Sequence, residues 1–121
     1  MKTTKPKQAK LSKADAKAFH GLKIFPLTPE GEGPFSALLM TVTPNTDLPE
    51  IYHKTTFEFF FVLKGVARGK LNGKARTFRR GEYAFLPPGT THDLHSGNTQ
   101  LEALAIFSPG LDLKKPDVVK V

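Results

Sequence analysis

Residues 57–79 read Phe-Glu-Phe-Phe-Phe-Val-Leu-Lys-Gly-Val-Ala-Arg-Gly-Lys-Leu-Asn-Gly-Lys-Ala-Arg-Thr-Phe-Arg, and they decide the fold class. Phe57–Leu63 is a run of aromatic and aliphatic residues, interrupted only by Glu58, with the composition of a buried strand. Gly65–Leu71 continues as a second strand. Asn72-Gly73 is the preferred pair for a type I′ hairpin turn, and Ala75–Phe78 answers it. The same grammar extends in both directions. Upstream lie Leu22–Leu27, the turn cluster Pro29–Pro34, Phe35–Thr43, Pro44-Asn45 and the extended stretch Asp47–Thr56. Downstream, Arg80-Gly81 leads into Glu82–Leu86, Pro87-Pro88-Gly89 turns into His92–Ser96, and Gly97-Asn98 is a further hairpin signal before Gln100–Phe107. Eight to ten short strands with turn signals every ~8–12 residues predict an all-β sandwich or barrel. Ser12-Lys-Ala-Asp15 fits a capping-box variant, so one or two helical turns are expected over about 12–19, stopped at His20-Gly21. Residues 1–20 then form a basic tail with a short helix, 21–108 the barrel, and 109–121 a C-terminal arm.

The chain has 121 residues, enough for one domain. It contains no Cys, which excludes disulfides, thiolate metal sites, a Cys nucleophile and dithiol chemistry. Its net charge of +7 is unevenly placed: residues 1–20 carry six Lys against Asp15, a net of +5, and the rest of the chain is close to balance. A nucleic-acid-binding domain would carry that charge on its folded surface, so a solvated tail is expected rather than a nucleic-acid partner. No apolar run approaches the ~18 residues of a membrane span, the tail lacks the apolar segment of a secretory signal, and a cytoplasmic protein is expected. Gly31-Glu-Gly33 has no strand–helix frame and is read as a loop rather than a dinucleotide fingerprint.

Four histidines carry the possible chemistry: His20, His53, His92 and His95. His20 sits at the expected helix stop and is read as a cap. Counting alternately along its strand, His92, Leu94 and Ser96 point inward, which leaves His95 on the surface. Glu58 is the telling residue, because an unpaired carboxylate in a buried strand would cost several kcal/mol. An Arg or Lys partner, exposure, or a cation must stabilise it, and imidazole with carboxylate is a ligand set that borderline divalent metals accept. Strict alternation sends 53 and 58 to opposite faces, so their convergence requires a bulge or kink at Lys54-Thr55-Thr56. If Glu58 points inward, Phe57, Phe59, Phe61 and Leu63 form an apolar row outside, which calls for cover from the termini or from a second subunit. Tyr83 and Phe85 belong to the cavity wall or to this outer layer. Lys54, Arg68, Lys70, Arg76, Arg79 and Arg80 are read as solvated.

Residues 45–65 and 81–96 resemble the two motifs of the cupin superfamily, the first as Asn45, Ile51, His53, Glu58 and Gly65, the second as Gly81, Pro87, Gly89, His92 and Ser96. The resemblance implies a jelly-roll β-barrel (a double-stranded β-helix), a small molecule bound inside it, and a homodimer built sheet to sheet. Three positions depart from the family pattern. Asn45 stands for Gly and shares its left-handed conformation; Ser96 stands for Asn; and Ile51 stands for the first His of a three-His, one-Glu metal set. The matching ligands are therefore His53, Glu58 and His92, a two-His, one-carboxylate set suited to Fe, Mn, Ni or Zn. With metal, the resemblance implies dioxygenase, isomerase, lyase or decarboxylase chemistry. Without it, the chain is a ligand-binding or sensor barrel, or an epimerase or cyclase using His53 or His92 as general base.

Overall fold

The computed structural model describes residues 5–29 and 33–121. Most of the turn cluster after Pro29, at residues 30–32, lies outside them, as do the first four residues of the tail. The described residues form eleven strands, in order β1 (Lys17–Phe19), β2 (Leu22–Pro26), β3 (Ser36–Val42), β4 (Asp47–His53), β5 (Phe57–Lys64), β6 (Val66–Leu71), β7 (Lys74–Arg79), β8 (Tyr83–Leu86), β9 (His92–His95), β10 (Leu101–Ser108) and β11 (Val118–Lys120). They form two antiparallel sheets in the orders β1-β2-β3-β10-β5-β8 and β11-β4-β9-β6-β7. This is the all-β jelly-roll expected from the sequence.

From β3 onward the chain repeatedly changes sheet, and left-handed residues mark the corners. Asn45 takes φ 57° between β3 and β4, Gly65 φ 82° between β5 and β6, Gly81 φ 87° between β7 and β8, and Gly89 φ 86° between β8 and β9. The glycine is indispensable at position 65, where an added Cβ would stand 2.3 Å from the Gln100 carbonyl oxygen. Ser96 is fully buried; its hydroxyl donates to Thr43 O at 2.6 Å and accepts from Thr46 N at 3.0 Å, which closes the corner around Asn45. Asn72 and Gly73 both have positive φ, as the type I′ turn between the paired strands β6 and β7 requires.

Each half-buried strand alternates as the pleat demands. On β10, Leu101, Ala103, Ala105 and Phe107 point into the core, where they meet Leu38, Val42, Phe60, Val62, Ala67 and Leu86. Phe60 and Phe78 close the space between the sheets edge to face, with centroids 5.1 Å apart. On β5, Glu58, Phe60 and Val62 are buried, while Phe57 and Leu63 are exposed and Phe59 and Phe61 half-exposed.

Four expectations need correction. The helix over 12–19 is only a 3-10 turn at Lys13–Asp15, capped by the Ser12 side chain, and the residues after Ala16 become β1. Its first turn is locally satisfied, but pairing with β2 captures the following residues. His20 accordingly caps no helix; with φ 39° beside Gly21 it makes the β1–β2 turn. Gly97 does adopt positive φ, but β9 and β10 lie in different sheets, so the turn is a corner rather than a hairpin. Finally, the C-terminal arm does not cover the outer aromatic row. It runs to the opposite sheet, where β11 pairs with β4.

Candidate metal centre

The jelly-roll corner brings the candidate residues together. β4 ends at His53 in one sheet, and β5 carries Glu58 in the other. The alternation rule for positions 53 and 58 therefore does not apply: the Lys54–Thr56 segment is an inter-sheet corner, not a bulge within one strand. The turn before His92 supplies the third side. Gly89 N donates to His53 O at 2.8 Å, and Thr90 N and Oγ1 both donate to Pro87 O. Asn72, at the tip of the β6–β7 hairpin, accepts from Thr91 N through its side chain and donates its own N–H to Thr91 O. The Pro87-x-Gly89 turn is thus bound to the segment that carries His53 while it delivers the one that carries His92.

His53 Nε2 lies 3.5 Å and His92 Nε2 3.4 Å from Glu58 Oε1. The candidate donor atoms of all three residues fall within 4.8 Å of one another. An ion about 2.1 Å from each donor sets neighbouring donors about 3.0–3.4 Å apart, so the two His–Glu separations already approach a coordination geometry. Both His53 and Glu58 are buried, and His92 is half-buried. The His53 and His92 rings stack with centroids 5.9 Å apart, and Phe107 packs edge-on to His53 at 5.5 Å. Ile51 sits opposite His92 in the β4–β9 ladder and two residues from His53, so it shares their face.

Burial alone would push the Glu58 carboxyl up, but the hydrogen-bonding partners His53 and His92 hold it below its ordinary value. Burial likewise opposes charge on His53, yet Glu58 and Asp117 raise it; for His92, Glu58 overcomes the same penalty. His92 Nδ1 lies 2.9 Å from the Thr90 carbonyl oxygen. A carbonyl only accepts, so Nδ1 carries the proton and Nε2 presents its lone pair to Glu58 when the ring is neutral.

Asp117 was invisible as a site residue in the sequence. It lies 64 positions from His53, in an arm with no motif, and reaches His53 Nδ1 with Oδ1 at 3.0 Å. Burial opposes its charge, but the Thr55 N–H, His53 and the Thr55 and Thr56 hydroxyls hold it well below the usual carboxylate range. His95 lies apart from the cluster, as expected, partly exposed with Nδ1 2.7 Å from Asp47 Oδ1. A cavity of about 30 Å³ adjoins Glu58 and His92, walled by Met40, Phe60, Leu71 and Leu86. That is room for about one water-sized group.

A family model for the cupin domain matches residues 38–107, more than half of the chain. The chain is a cupin. An uncharacterised protein of Aquifex aeolicus is 32% identical to this cupin over 90 residues, 74% of this chain and 72% of that protein. Among solved structures, KdgF from Halomonas sp. superposes with a TM-score of 0.77 at 15% identity, covering 90% of this chain and all of that one. Ectoine synthase from P. lautus gives 0.76 at 17% identity, covering 88% and 80%. A Cupin 2 conserved barrel domain protein from Salinispora arenicola gives 0.70 at 22% identity, covering 87% and 90%. At these identities the structures share the fold.

Proposed function

We propose that this cupin is a cytoplasmic, metal-dependent enzyme acting on a small molecule, with His53, Glu58 and His92 as ligands to one divalent transition metal. The observation that carries the reading is the convergence of two imidazole nitrogens on one buried carboxylate. Two His and one carboxylate leave open positions for substrate on Fe, Mn, Ni or Zn. Once bound, the ion would supply Lewis-acid or O₂-binding chemistry of the dioxygenase, isomerase, lyase or decarboxylase type. The protein's own share is positional. Glu58 supplies the negative charge, Phe107 and the core wall exclude water from His53, and the half-buried His92 borders the cavity through which substrate approaches. The cavity of about 30 Å³ beside Glu58 and His92 suits the reacting end of a small substrate.

A metal-free ligand-binding or sensor barrel is the second reading, and two observations favour it. Ile51 occupies the face where a further ligand would stand, and the histidines and Glu58 shift one another toward a self-neutralised ion cluster. Elemental analysis separates the two. Protein purified without a His tag or chelator, then offered Fe, Mn, Ni and Zn, should retain one ion per chain and lose it in His92→Ala; no retained metal overturns the enzyme reading.

We also infer a homodimer through the outer face of the six-stranded sheet. Phe57, Phe59 and Phe61 stack there against Tyr83 and Phe85, and Leu63 extends the row. β1 lies at the far edge of the sheet, and β11 belongs to the other sheet. A self-complementary apolar face of this kind favours closed two-fold pairing with a second copy.

A further inference from the structure

We infer that Asp117, on the C-terminal arm, is a positioning residue that holds His53 in the tautomer able to bind a cation through Nε2. The inference rests on the proposed metal reading and extends it beyond the cupin-matching residues 38–107.

The two histidines reach the same state by different routes. His92 is set by a backbone carbonyl two residues away, at Thr90. His53 has a carboxylate on each side, with Glu58 Oε1 3.5 Å from Nε2 and Asp117 Oδ1 3.0 Å from Nδ1. A neutral ring carries one N–H and can donate to only one of them. The shorter contact takes the proton, which leaves the Nε2 lone pair facing Glu58 Oε1 and any ion between them.

Asp117 is held for this task. Its Oδ2 accepts from Thr55 N at 2.8 Å, Thr55 Oγ1 at 3.1 Å, Thr56 N at 3.0 Å and Thr56 Oγ1 at 2.9 Å. Oδ1 is left to His53. The backbone is pinned as well: Lys54 N donates to Asp117 O at 3.0 Å, and Val118 pairs with His53 in the β11–β4 ladder. Four hydrogen bonds to one oxygen fix the direction of the other. Because arm and ligand share these bonds, docking of residues 117–121 and binding of a cation must reinforce each other by the same factor.

The test is Asp117→Asn, with Thr55→Val as the control that removes one hydroxyl and leaves the His53 contact. In metal-free wild-type protein, at a pH where the ring is neutral, ¹⁵N NMR should show His53 protonated on Nδ1. Asp117→Asn should move the proton to Nε2, toward Glu58, and weaken Mn²⁺, Ni²⁺ or Zn²⁺ binding by about 10–100-fold in calorimetry. Thr55→Val should keep the tautomer and stay within about twofold in affinity. Protection of the 117–121 amides from hydrogen exchange should rise when the metal is added to the wild type. A wild-type His53 protonated on Nε2 would overturn the inference without any variant. So would Asp117→Asn that keeps both tautomer and affinity. A wild type with Nδ1 protonated that binds none of the three metals retains the positioning and overturns the metal reading instead.

Discussion

Replacing Phe85 with Lys tests the proposed dimer at its most exposed phenylalanine. A Phe side chain offers about 200 Å², and Phe85 is 61% exposed in the single chain, so about 120 Å² is wet. Covering it contributes about 3 kcal/mol per copy at about 25 cal/mol/Å², and two-fold symmetry applies the gain twice. Association also costs rotamer freedom and polar desolvation. Retaining only half of the total, about 3 kcal/mol, still makes Phe85→Lys weaken dimerisation more than a hundredfold. Wild-type protein at micromolar concentration should scatter light as twice 13.3 kDa, and the variant as a single chain. Because Phe85 is on the surface, the fold of the single chain should be perturbed by about 0.5 kcal/mol or less, apart from the stability that pairing lends the wild type by mass action. A wild type that stays monomeric across the micromolar range would refute the reasoning, as would a variant that dimerises undiminished.

Metal affinity should climb with pH. His53 and His92 have raised values in the metal-free protein, and their protons must leave before a cation binds. Calorimetry of Ni²⁺ or Mn²⁺ in buffers of different ionisation enthalpy should show proton release, and the apparent affinity should level off only above those raised values. Ile51→His adds a third imidazole, and so a fourth ligand, on the face shared by His53 and His92, and should bind Ni²⁺ more tightly than wild type; an unchanged, very weak affinity would mean the pocket geometry does not support a metal. Gly65→Ala puts a Cβ 2.3 Å from Gln100 O at φ 82°, and should cost about 2–4 kcal/mol. A fall in the melting temperature of about 10 °C would register it, whereas an unchanged transition would mean that the β5–β6 corner relaxes freely.

Much of the architecture was legible because it is local. The alternation on β5, the Asn72-Gly73 turn and the glycine-marked corners depend on pleat and backbone φ, which neighbouring residues determine. That Glu58 faces away from Phe57, Phe59, Phe61 and Leu63 followed from the same pleat, and the spacing of the second motif made His92 a candidate. What stayed hidden depends on distant pairing. Ser12 to Asp15 carries a helix-start signal, yet β2 draws Lys17–Phe19 into a sheet. His53 and Glu58 look opposed by parity, and meet because the chain changes sheets at Lys54–Thr56. Asp117 offers no pattern at all, since its role arises only when β11 docks on β4. Side-chain alternation and turn chemistry are properties of a few adjacent residues, so the sequence alone determined most of the strands and the residue types of the candidate site. Which carboxylate faces which imidazole is a property of loops closed across the whole barrel, and only the tertiary structure decided it.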